Sequence, residues 1–173
     1  SSTDCLLTLP FFMGPPWTHP VSQIRVQKNR GRFTFVTGKS VVFAPTLLAN
    51  GNVMVPYKDE SDGKGKIAVY NDAGDLVVGA TVFADTLVGS WRLPATLTDD
   101  NALFIGYTDN SDSKKAKYVI MNADGTVAVS PTALKGGVSY PLHATNVATV
   151  NKLAILYKDT ATTSFWFDFL SGF

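Results

Sequence analysis

The sequence predicts an all-β protein made of repeated four-stranded antiparallel meanders, about three per chain. Three observations carry that expectation. Matched segments recur every fifty residues, at 53–59, 103–109 and 153–159. Aspartate supplies every acid except Glu60, and aspartate favours turns where glutamate favours helix. Fourteen glycines and nine prolines interrupt any long helical run.

The matched segments are the first strand of each unit. Val53, Val55 and Tyr57 alternate along one copy, as Leu103, Ile105, Tyr107 and Leu153, Ile155, Tyr157 do in the others. This period of two places them on one strand face, and the small or apolar residues between them predict burial of the second face too. Such a strand belongs inside a packed stack of sheets. Each run closes on an aspartate (Asp59, Asp109, Asp159) that opens a polar loop.

A second strand follows at 66–70 and 117–121, ending in the glycine turns 71–75 and 122–126. Glycine supplies the positive φ of a tight hairpin, and Asn or Asp tolerates it nearby. The third strand is then 76–78 and 126–129. A fourth, at 91–97 and 141–147, contains Pro94 and Pro141 and is therefore expected outermost in its unit, at a sheet edge. Residues 41–48 align with this fourth strand and Ile24–Val26 fall near the third, whereas 165–169 align with the second. Two units are thus complete. The third is expected to be split, its inner strands at the C-terminus and its outer strands near the N-terminus.

Residues 1–23 stand apart from this β-repeat domain of 24–173. Pro10, Pro15, Pro16 and Pro20 exclude helix and central strand, so the segment reads as an extended, aromatic-rich arm that packs across the domain or docks on another subunit.

Composition narrows the function. A formal net charge of +1 offers no electrostatic basis for capturing nucleic acid or an anionic membrane. The local cluster Arg25, Lys28, Arg30, Arg32 reads as a solvated turn ahead of a phosphate site. Cys5 is the single cysteine, which rules out an internal disulfide; beside Leu6 and Leu7 it reads as a buried thiol. No apolar run is long enough for a membrane helix, no signal peptide is visible and no Asn-x-Ser/Thr sequon occurs. A start at Ser1 without methionine is expected of a processed product or an excised fragment.

Catalytic signatures are missing. His19 and His143 have no second histidine or cysteine at metal-ligand spacing, and there is no G-x-S-x-G elbow. Gly136-Gly137 is a turn signal without the Lys-Ser/Thr of a phosphate loop. Asp59 with Asp62, and Asp109 with Asp112, are the nearest approach to a carboxylate pair or a calcium loop. The third copy has Thr162 at the position of the second acid, and hydrated turn formers outweigh a metal site. No cofactor and no enzymatic activity is expected.

A four-stranded meander repeating at about fifty residues resembles the blade of a β-propeller. The units are similar to repeats of bacterial surface adhesins and of phage tail and receptor-binding proteins, in the runs 49–55 and 98–104 and in the turn 122–127. The resemblance extends from about Ile24 onward and implies an extracellular or virion-surface attachment module. Three blades do not close a standard ring, so it further implies a homo-oligomer, dimer or trimer.

A host-surface glycan or protein receptor is the expected partner. Trp91 and Tyr140 sit at equivalent places just before the fourth strand and are the candidate stacking rings, with Asp59, Asp109 and His143 as polar ligand contacts. Trp166, between Phe165 and Phe167, reads as core. Two alternatives stand beside this reading: a structural assembly domain of a virion or fibre and, more weakly, a polysaccharide-acting enzyme on a propeller scaffold.

Overall fold

The computed structural model describes residues 40–172, apart from 87, 90–93, 151 and 160–161. The chain divides into two units, Ser1–Arg32 and Phe33–Phe173, and the described residues belong to the second. The expected arm, the Ile24–Val26 strand, Cys5, His19, the basic cluster and Trp91 lie outside the described residues.

The described chain is all-β, with a single 3₁₀ turn at Ala148–Val150 and no α-helix. The strands are β1 (Ser40–Val42), β2 (Thr46–Leu47), β3 (Val53–Asp59), β4 (Gly65–Tyr70), β5 (Leu76–Ala84), β6 (Ala95–Leu97), β7 (Leu103–Asp109), β8 (Lys115–Met121), β9 (Val127–Val147), β10 (Lys152–Asp159) and β11 (Phe165–Leu170). They form three antiparallel sheets. In the first, β1 and β2 pair with β3, which pairs with β4 and then β5. The second runs β6-β7-β8-β9 and the third β9-β10-β11, so β9 belongs to both.

The repeat is visible in the turns. Asn71 and Asn122 each donate their backbone N–H across the hairpin, to the carbonyls of Asp75 (3.0 Å) and Thr126 (2.8 Å). Gly74 and Gly125 hold φ of 87° and 84° at the same place, a region glycine enters without steric cost. The turns before the first strands also match: Leu48 donates to Asn52 and Thr98 to Ala102, both at 2.8 Å. These two turns touch, because the Asn101 side-chain oxygen accepts the N–H of Ala49 at 2.7 Å.

Two expectations are corrected here. The fourth segment of each unit does lie at a sheet edge, but it pairs with the first strand of the following unit. Ala95, Thr96 and Leu97 oppose Ile105, Phe104 and Leu103, and residues 139–147 oppose β10. Nor does the 41–48 segment join the C-terminal strands, as a third unit split between the termini requires. Val41 and Val42 oppose Lys58 and Tyr57, so this N-terminal segment completes the first sheet. The physical reason lies in β9. Gly136 and Gly137, read from the sequence as a turn, lie inside this 21-residue strand. Lys115 opposes Val138 while Lys117 opposes Ala133, so the extra residues form a bulge and no reversal follows. The chain runs straight on into the next sheet.

Cross-strand partners share a sheet face, which orders the core. Met54, Ile67 and Val69 of the first sheet pack in one buried cluster with Leu103, Ile105, Tyr107, Val119 and Met121 of the second. The opposite face of the second sheet, Phe104 and Ile120 with half-buried Tyr118, packs with Leu153, Ile155 and Tyr157 of the third. The middle strand β7 is therefore buried on both faces, as its sequence predicts. Each aliphatic side chain so removed from water stabilises the stack by about 1.5–3 kcal/mol.

Candidate functional site

Two features stand out from this frame: a pair of ion clusters on the loops and one open sheet face. In the first cluster Asp59 ends β3 and its loop curls back. Ser61 donates its N–H and hydroxyl to Asp59 Oδ1 at 2.9 and 2.6 Å. Lys66, on the neighbouring strand opposite Tyr57, sets its ammonium 2.7 Å from Asp59 Oδ2 and 2.8 Å from Asp62 Oδ2. Lys64 pairs with Asp85 beside it. The second cluster repeats the plan. Ser111 caps Asp109 at 2.9 and 2.8 Å, and Lys117 opposite Tyr107 lies 2.8 Å from Asp109 and 3.0 Å from Asp112.

The electrostatics follow. The Lys66 and Ser61 hydrogen bonds hold the Asp59 carboxyl well below its usual range, and Lys66 does the same for Asp62. Asp109 is only 1% exposed. Burial works to raise its pKa, and the Lys117 and Ser111 hydrogen bonds outweigh that and lower it. Burial, helped by the nearby Asp109 charge, pushes the Tyr107 phenol up to about 12. In each loop an ammonium occupies the place between two carboxylates where a cation would sit. The third copy has lost the plan: the residue opposite Tyr157 is Trp166, and Thr162 stands where the second acid was.

The open face belongs to the third sheet. Register puts His143, Leu156 and Phe167 in one cross-strand row, with Tyr140, Lys158 and Phe165 in another. Phe169, opposite Ala154, extends the same face. Phe165, Phe167 and Phe169 are 65%, 59% and 54% exposed. Phe167 and Phe169 meet edge to face with centroids 5.1 Å apart, and the Lys152 ammonium lies 5.9 Å over the Phe169 ring. Tyr140 is half-buried and His143 exposed.

The structure therefore brings Tyr140 and His143 together on one face and leaves Asp59 and Asp109 in the loop clusters. Trp91 lies outside the described residues. Trp166 is not core: it is 50% exposed on the opposite face of β11. The exposed phenylalanines escaped sequence reasoning because their alternation is that of any buried strand. Among the described residues no group of three or more His, Cys, Asp and Glu could hold a metal, and no helix is long and apolar enough to cross a membrane. Comparison with protein-family models, with curated proteins and with solved structures gives no match.

Proposed function

We propose that this chain is a non-enzymatic attachment module of an extracellular or virion surface, of the tail-fibre or adhesin kind, its sheets serving as propeller-type blades. The observation that carries the reading is the open aromatic face of the third sheet. Phenyl rings stack on the apolar faces of sugars and on apolar protein surface. Tyr140, His143 and Lys158 share that face and supply hydroxyl, imidazole and ammonium groups for hydrogen bonds. The partner in this reading is a host-surface glycan or protein receptor. Glycan-array binding by the full chain tests it: Phe167→Ala and Tyr140→Ala, both folded by circular dichroism, are expected to lose the signal. Binding unchanged in both variants sinks this use of the face.

One observation favours a second reading, that of a structural assembly domain. The equivalent faces of the first and second sheets are each covered by the next sheet in the stack. The third sheet presents the same kind of face with no fourth sheet among the described residues.

A further inference from the structure

We infer that the Phe165–Phe167–Phe169 face is the self-association surface of this protein, closed by the same face of a second copy around a two-fold axis. The inference rests on reading this face as a docking surface and takes the assembly branch of that reading.

Equivalence within the repeat comes first. Met54 and Val69 in the first sheet, and Phe104 and Ile120 in the second, are cross-strand partners on one face. Ala154 and Phe169 hold the same register in the third. In the first two sheets that face is buried against another sheet. The third keeps the apolar character and adds large rings at Phe165, Phe167 and Phe169, where a face meant for water would alternate to polar residues.

The symmetry follows from the opposite end of the stack. The complementary end face, on the first sheet, contains Val55, Tyr57 and Ala68, and all three are already buried within the single chain. Head-to-tail stacking needs two free faces, one at each end, and would give rings or filaments. Among the described residues only one of the two end faces of the stack is free, and one free face pairs with itself: an isologous dimer.

Area and charge set its strength. Three phenylalanines at this exposure offer roughly 350 Å² per chain. With flanking Leu156 and Tyr140, both half-buried, the pair buries at most about 1,000 Å² in total, just below the usual range of specific interfaces. A reversible, concentration-dependent dimer is expected. Lys152 and Lys158 lie on the same face, so two copies bring like charges together. Salt screens that repulsion and leaves apolar burial intact, so the dimer tightens as salt is raised.

Sedimentation velocity of the full chain over a wide concentration range tests this. Wild type is expected to pass from monomer to dimer, more readily at high salt. Phe167→Asp and Phe165→Asp each remove a ring from both copies and should each weaken the dimer by at least roughly a hundredfold. Leu76→Asp, at an exposed apolar position on β5, should leave it unchanged. Circular dichroism melts confirm that each variant is folded. A wild type that stays monomeric, or a dimer indifferent to both phenylalanine variants, overturns the inference. If the monomer still binds glycan or receptor through Phe167, the docking reading stands and self-association alone falls. If it binds neither, the docking reading falls with it.

Discussion

The ammonium of Lys117 lies 2.8 Å from a carboxylate oxygen of Asp109, and the aspartate is closed off from solvent while its repeat equivalent Asp59 is not. The difference comes from position in the stack. Asp109 ends the middle strand, buried along its whole length, whereas β3 is only half-buried at its last two residues, Lys58 and Asp59. One motif, written twice in the sequence, thus works at two burial depths.

That contrast predicts unequal consequences for equivalent substitutions. Lys117→Met leaves a buried carboxylate without its ammonium and is expected to cost about 3 kcal/mol. Lys66→Met acts on the more accessible pair and should cost distinctly less. Urea denaturation of both variants against wild type measures the difference, and equal losses would contradict the assigned depths.

The same groups give stability an acid limb. Asp59, Asp62, Asp109 and Asp112 all have folded-state pKa values lowered by their lysine and loop hydrogen bonds. A carboxyl held lower in the folded than in the unfolded chain contributes stability that is fully present above the unfolded value, about 3.9. That contribution disappears as pH falls from there through the folded values. Unfolding free energy is therefore expected to be flat near neutrality on account of these groups and to drop below about pH 4. Asp59→Asn combined with Asp109→Asn should make the drop shallower, as read by denaturation at pH 7 and pH 3.

Packing between β4 and β5 gives the third prediction. A Cβ added at Gly65 would lie 2.5 Å from the ring of Phe83, which is itself buried in the core. The ring cannot swing into solvent, so Gly65→Ala is expected to destabilise by about 1–3 kcal/mol through overpacking. Phe83→Leu in the same chain should recover part of that loss, because it shortens the obstructing group. Thermal melts of the single and double variants test this, and no recovery in the double variant would show that the ring is not the obstacle.

Much of this fold was legible in the sequence. The alternation at Val53, Leu103 and Leu153 placed the inner strands, and the Asn-x-x-Gly turns at 71–74 and 122–125 placed their hairpins. Both are local signals, set by the period of a pleated strand and the φ a turn requires. The polar residues were legible only as types: Asp59 and Asp109 read as loop formers, while their lysine partners seven and eight residues away depend on strand register.

What tertiary structure alone decided is where each strand goes and which faces stay open. Nothing local to residues 127–147 says that Gly136 and Gly137 bulge the strand and do not reverse it, since glycine allows both. That choice sends the fourth segment to the next sheet, and register alone places Val41 and Val42 in the first. Burial is likewise a property of neighbours. Phe165, Phe167 and Phe169 carry the alternation of a covered strand, yet they face outward because their sheet is the last of the three described. Alternation sets which side chains share a face; only the presence of another sheet removes that face from water.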